Sequence, residues 1–249
     1  MTSSLNLWLI VAVSFCAFVI GLSKGGLGGA AATLITPTLA LVMSAQEAVG
    51  IALPMLIIGD WFALWAHWRG WDRRVVFRLL PGSIVGIIVG SVLLGSLPPL
   101  TIRHGIGLFA LAFCIYKVVA PHLRQELTHT EARPWYAPLF GGAAGVASAL
   151  ANAGGPIADA YVLTQQLPPM TFIATEVLYF TVINALKIPF YLSTGALRPA
   201  SFLQIAWAIP LVPLGVVAGK HLIRRVDMRV FEWIILGLLV VAAGVLLTR

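Results

Sequence analysis

Charge is what this sequence has least of. Only 10% of its 249 residues are Asp, Glu, Lys or Arg, against about 25% in an ordinary soluble domain. That scarcity excludes a soluble catalytic domain of any size, because a water-facing surface needs charge to cover it. Cysteine is nearly as scarce. Cys16 and Cys114 both lie inside apolar runs, which excludes a disulfide framework, and no metal-ligand spacing accompanies them. The motifs GxSxG, HExxH, CxxC and GxxxxGK[ST] are all missing, so no hydrolase, zinc protease or nucleotide-binding chemistry is legible. Neither a cofactor nor a metal ion is expected, and the protein reads as a non-enzyme. The N-terminal stretch MTSSLNLWLI lacks the positive region of a signal peptide. The first apolar segment is therefore expected to remain in the mature protein.

What fills the chain instead is hydrocarbon. Hydrophobic residues make up 59% and the mean hydropathy is +0.95. A membrane-spanning helix needs about 20 mostly apolar residues. Ten hydrophobic segments are legible, five in each half: about 5–23, 28–43, 47–68, 77–97 and 102–119, then 135–150, 155–166, 171–192, 201–220 and 230–247. Segments 28–43 and 155–166 are short for full spans and suit half-helices or re-entrant hairpins. The fold class is thus all-α: a polytopic helical membrane protein with 8 to 10 spanning or half helices. The net charge of +7 suits cytoplasmic loops that set orientation rather than nucleic acid.

One feature occurs twice. A polar, glycine-rich break reads GLSKGGLGGAAATLITP from Gly21 to Pro37 and SALANAGGPIADAYVL from Ser148 to Leu163. Gly28-Gly29 aligns with Gly154-Gly155, half a chain length on. Glycine-interrupted hydrophobic segments at matching places in two halves point to a transporter substrate site. The repeat continues in the pair Gly86/Gly90 and Gly215/Gly219, each just after a proline, Pro81 and Pro210. Small residues four apart suit close helix packing in lipid. The chain therefore divides into a first repeat at 1–125 with its break at 21–29, a linker at 126–134, and a second repeat at 135–249 with its break at 148–156.

Charge placement predicts topology. Arg69, Arg73, Arg74 and Arg78 cluster after the third segment of the first half. Lys220, Arg224, Arg225 and Arg229 cluster after the fourth segment of the second half. Basic loops stay cytoplasmic, so the positive signal falls on opposite loops of the two halves, as inverted-topology repeats require. The linker is then cytoplasmic and both termini are exterior.

Lys24 is the leading functional residue. An ammonium within an apolar segment is costly and needs a partner, water or a function. It sits in Ser23-Lys24-Gly25-Gly26, with Gly28-Gly29 following. Glycines allow close backbone approach, and a helix restarting after the break presents free N–H groups and the positive end of its dipole. The second break supplies Asn152, Gly154, Gly155 and Pro156, with proline suited to the first position of a new helix. Two half-helix N-termini would then cradle an anion near the bilayer midplane. The plainer alternative is that Lys24 snorkels to an interface and the glycines only pack helices. Asp60, Asp159, Glu176, Asn184 and Lys187 also fall within predicted spans. They are candidates for proton or counter-ion coupling, or simply for charge pairing with one another or with Lys24. Glu176 and Lys187 are eleven residues apart on one segment, too far to pair directly. Trp61, Trp65, Trp68 and Trp71 read as interfacial or packing aromatics.

These breaks, the half-length repeats and the chain size resemble the sulfite exporter TauE/SafE family, most specifically in GLSKGGLGG…TLITP and ANAGGPIADAYVL. The resemblance covers nearly the whole chain. It implies a transporter of a small sulfur-containing anion, sulfite or an organosulfonate, in a bacterial cytoplasmic membrane. The partners are then that anion and the lipid bilayer, with no nucleic acid; oligomeric state stays open, a homodimer included. The alternatives are a channel-like passive anion pathway, or a transporter of a small non-sulfur organic anion.

Overall fold

The computed structural model describes residues 7–27, 29–129, 133–198, 200, 203, 205–222 and 227–248. Among them the chain is helical throughout, with no strand. In order the α-helices are α1 (Leu7–Leu22), α2 (Ile35–Ala40), α3 (Ala45–Ala66), α4 (Arg73–Ser96), α5 (Pro99–His129), α6 (Tyr136–Ala151), α7 (Gly155–Leu163), α8 (Pro169–Ser193), α9 (Leu211–Leu222) and α10 (Met228–Thr248). Six helices among the described residues are long and apolar enough to cross a membrane. This is a multi-pass membrane protein. Its outer faces carry Val85, Val89 and Val92 on α4 and Ile234, Leu238 and Val241 on α10, all exposed. In water such stripes would drive association; here they meet lipid. Trp61, Trp65 and Trp68 are likewise exposed beside the basic cluster, as an interfacial aromatic belt requires.

Several boundaries differ from the sequence reading, each for a local reason. α4 starts at Arg73, inside the expected basic loop, because the Asp72 carboxylate accepts from the backbone N–H groups of Arg74 and Val75. That capping satisfies donors a helix start leaves orphaned. α5 runs on to His129, so the expected linker begins as helix. The segment expected at 201–220 is not one helix: a 3-10 turn at Ala206–Ala208 precedes α9. Pro210 and Pro213 cannot donate the hydrogen bonds that would carry an α-helix through. Of the second basic cluster, Arg224 and Arg225 lie outside the described residues.

The helices pack reciprocally across the halves. α1 lies against α9, and α6 against α4. The contact faces are backbone to backbone. A Cβ on Gly215 would strike the Phe18 carbonyl, one on Gly21 the Val212 carbonyl, and one on Gly219 the Leu22 carbonyl at 2.7 Å. The other pair repeats this: Gly86 against the Gly142 carbonyl, Gly145 against the Ser83 carbonyl, and Gly90 against the Val146 carbonyl at 3.0 Å. One constant shift along the chain converts α1 positions to α6 positions, and a second converts α9 to α4. Between lipid-facing helices, with no hydrophobic force to join them, such close contact is the main source of association.

Gly86→Val should therefore lower the stability of the solubilised protein by about 1–3 kcal/mol through overpacking. Gly105 has nothing within 4 Å of an added Cβ, so Gly105→Ala should be neutral or stabilising by up to about 1 kcal/mol. Melting followed by tryptophan fluorescence in detergent checks both, and equal melting of the two variants would contradict the packing described.

Candidate functional site

The first break is a change of helical pitch rather than a gap. α1 passes into a π-helical turn at Ser23–Leu27, and after Gly28, which lies outside the described residues, a 3-10 stretch at Gly29–Leu34 leads into α2. This differs from the expected restart of a helix just past the glycines, since α-helical geometry returns only at Ile35. A π turn widens the helix, exposes backbone groups and is frequent at functional sites. The second break separates two α-helices. Asn152 ends α6 in the left-handed conformation, φ 53°, and α7 opens at Gly155 with Pro156 in its first turn. Asn is among the few residues that tolerate that geometry.

The π turn hands Lys24 to α3. Its ammonium pairs with Asp60 Oδ1 at 2.5 Å. Asp60 is fully buried, whereas the Lys24 side chain retains 16% exposure. The second carboxylate oxygen, Oδ2, accepts from Asn184 Nδ2 at 2.6 Å. Gly59, beside Asp60, makes the approach feasible: an added Cβ would lie 3.2 Å from Lys24 Cγ and 2.9 Å from Ile20 Cγ2. Lys24 also lies over the Phe180 ring, 5.8 Å from its centroid. The rim of that ring, Phe180 Cζ, is the nearest atom to a Cβ built on Gly155, at 3.9 Å. Phe180 thus links the Lys24 ammonium to the start of α7, joining the two breaks in space.

Lys187, fully buried on α8, holds the second break. Its ammonium donates to Asn152 Oδ1 at 2.7 Å, Ser148 Oγ at 3.1 Å and the Ser148 carbonyl at 3.3 Å. Three acceptors match the three protons of an ammonium. Asn152 in turn donates through Nδ2 to the Val49 carbonyl at 3.0 Å and to Thr36 Oγ1 at 3.3 Å. One asparagine side chain therefore ties α8, α3 and α2 to the end of α6.

The expected residues separate into distinct roles. Lys24, Asp60, Asn184, Lys187 and Asn152 form the polar interior. Gly25 and Gly154 are needed for backbone packing: an added Cβ would strike the Val216 carbonyl at the first, and would lie 2.5 Å from the Ala144 carbonyl at the second. At Gly155 an added Cβ would meet Phe180 Cζ in ordinary contact, at 3.9 Å. Gly26 lies in the π turn and Gly29 opens the 3-10 stretch. Ser23 is buried beside Lys24 and is polar-engaged, as are Asp159 on α7 and Glu176 on α8. Sequence reasoning missed Ser148, Thr36 and Phe180. Ser148 was the most legible of these, as a hydroxyl one helical turn before Asn152.

A cavity of about 520 Å³ lies between α3 and α8, but Leu53, Ile57, Ile188, Leu192 and its other lining residues are all apolar. It offers an anion nothing. The charged chemistry lies at the breaks, and there the sequence-family comparison applies. The profile described as Sulfite exporter TauE/SafE matches residues 13–246. The chain belongs to the TauE/SafE family. The match spans both breaks and every residue of the polar interior. Comparison with curated proteins and with solved structures returns no significant match. As a TauE/SafE member the protein falls in a membrane transport family.

Asn152→Ala should destabilise this TauE/SafE protein by about 2–3 kcal/mol, since it strips an acceptor from a buried ammonium. Asn152→Gly should recover about 1 kcal/mol of that loss by relieving the left-handed backbone. The two melting temperatures, measured side by side, separate the hydrogen-bonding role from the backbone role.

Proposed function

We propose that the protein is a secondary transporter that exports a small sulfur-containing anion, sulfite or an organosulfonate, across the cytoplasmic membrane. The anion sits between the two breaks, with Lys24 as its cationic contact and the backbone around Gly28-Gly29 and Gly154-Gly155 supplying N–H donors. The observation that carries this reading is the state of Lys24. It is the partly exposed ammonium of the polar interior, held by Asp60 and placed against the Phe180 ring that borders the second break. Ammonium, hydroxyl and oriented N–H groups in low dielectric are the chemistry of an oxyanion site.

The reciprocal glycine packing supports two inverted-topology repeats. In such transporters one bundle rocks against another around a fixed central site. The rigid α1/α9 and α4/α6 pairs are suited to be the moving bodies, with the broken helices between them. The two basic clusters then face the cytoplasm, the linker with them, and both termini face the exterior. Export of an anion is driven by a negative-inside potential worth about 2.3 kcal/mol per charge per 100 mV. Asp60, Asp159 and Glu176 are the acids available for coupling to protons or ions.

The test is flux in proteoliposomes containing this protein alone, first under an imposed potential and then under an imposed pH gradient. Sulfite accumulation against its own gradient supports the transporter; equilibration that never runs uphill makes it a passive pathway. Lys24→Gln should cut flux at least about tenfold, the cost of losing a charge-assisted contact, while Lys24→Arg should retain part of it. Wild-type flux in a folded Lys24→Gln protein would remove Lys24 from the site.

A further inference from the structure

We propose that the loop between α3 and α4 is a binding site for an anionic phospholipid. Arg69, Arg73 and Arg74 take the headgroup phosphate, and Trp61, Trp65 and Trp68 lie along the glycerol and upper acyl region.

The three arginines are exposed. Among the described residues no ion pair or hydrogen bond engages their guanidinium groups. Asp72 is the one acid beside them, and its carboxylate is occupied with the N–H groups of Arg74 and Val75. The cluster is also poorly placed for a free protein. Arg73 and Arg74 open α4, whose first turn carries no acid, and the positive end of a helix dipole disfavours cations there. Arg74 and Arg78 stand four residues apart on that helix, where like charges repel. A bound phosphate removes this repulsion, and a guanidinium can meet it with two parallel hydrogen bonds.

The loop is held in shape before any ligand arrives. Asp72 N–H donates to Thr175 Oγ1 on α8 at 2.9 Å, and Thr175 Oγ1 donates to the Thr171 carbonyl at 2.6 Å. Thr175 is completely buried. Gly70 N–H closes on the His67 carbonyl at 3.2 Å, and a Cβ on Gly70 would lie 3.3 Å from Ala174 Cβ. A site anchored in this way loses little freedom on binding.

The tryptophans identify the source of the phosphate. Trp61, Trp65 and Trp68 are exposed, and their spacing places them on one face of α3. Trp68 also meets Trp71 edge to face, with ring centroids 5.4 Å apart. An indole stripe that ends in an arginine loop matches an acyl chain that ends in a phosphate, since indole favours the headgroup level of a bilayer. A soluble phosphate would leave the stripe unused.

The measurement is titration of the purified, detergent-solubilised protein with phosphatidylglycerol and phosphatidylcholine carrying brominated acyl chains, read by quenching of tryptophan fluorescence. Both lipids have a phosphate, but choline cancels its charge in the second. Wild type should quench at an at least about tenfold lower concentration of phosphatidylglycerol. Equal midpoints overturn the proposal without any variant. Arg69→Gln with Arg73→Gln and Arg74→Gln should abolish the preference, and the three matching Arg→Lys changes should keep part of it. A Gln triple variant that folds and keeps the full preference overturns the site. Arg103 and Arg198 supply the comparison for charge alone. Arg103 follows the far end of α4, about 36 Å from Arg73 along the axis, and Arg198 follows the end of α8 remote from Thr175. Arg103→Gln with Arg198→Gln should leave the preference within about twofold; a loss as large as that of the Gln triple variant reduces the effect to general attraction and overturns the site. Trp61→Phe with Trp65→Phe and Trp68→Phe should remove most of the quenching specific to phosphatidylglycerol, and undiminished quenching puts the lipid elsewhere. Glycerol phosphate in large excess should not displace the lipid; displacement makes the loop a soluble-phosphate site and overturns the lipid assignment. None of these outcomes depends on what the protein transports.

Discussion

Everything distinctive about this molecule follows from placing two lysines and an aspartate among apolar membrane-spanning helices. An ion taken from water into hydrocarbon loses several kcal/mol even after local relaxation. The fold meets that cost with full coordination. Asp60 gives one oxygen to Lys24 and one to Asn184. Lys187 spends all three protons on residues 148 and 152. The Lys24 and Lys187 contacts each join a broken segment to a long helix, and the Asp60–Asn184 bond joins α3 to α8, so the charges that endanger the fold also pin both breaks to those two helices. The arrangement is asymmetric. Lys187 is fully buried among three acceptors, whereas the Lys24 side chain keeps 16% exposure.

The scaffold around this centre is built without side chains. Glycine against carbonyl, repeated along α1/α9 and α4/α6, gives two tight helix pairs. Hydrophobic burial cannot join helices in lipid, so van der Waals contact between backbones does it. The long exposed valine, isoleucine and leucine stripes then need no partner beyond the bilayer.

Much of the polar interior was legible because intramembrane charge is so rare that each instance stands out. Lys24, Asp60, Asn184 and Lys187 were visible as anomalies in apolar runs, and Asn152 as a polar residue inside a glycine motif. Their pairing was not. Lys24 and Asp60 are 36 positions apart, and nothing in periodicity says which acid an isolated lysine will meet. The packing of the glycines was not legible either: Gly25 and Gly154 lie against neighbouring backbones, where an added Cβ would strike a carbonyl. Phe180 carried no signal at all, being one aromatic among twelve phenylalanines until α8 brought it over Lys24.

Composition alone determined that this chain lives in a membrane, because 59% apolar residues with 10% charge leave no other solvent. Local sequence determined where the helices change pitch or stop, since glycine, asparagine and proline act on their own backbone through sterics and missing donors. Tertiary structure decided the rest: which charges pair, which lysine stays partly exposed, and which glycines meet a neighbouring backbone. Those outcomes depend on distances between segments remote in the chain, and in low dielectric such distances fix the energy.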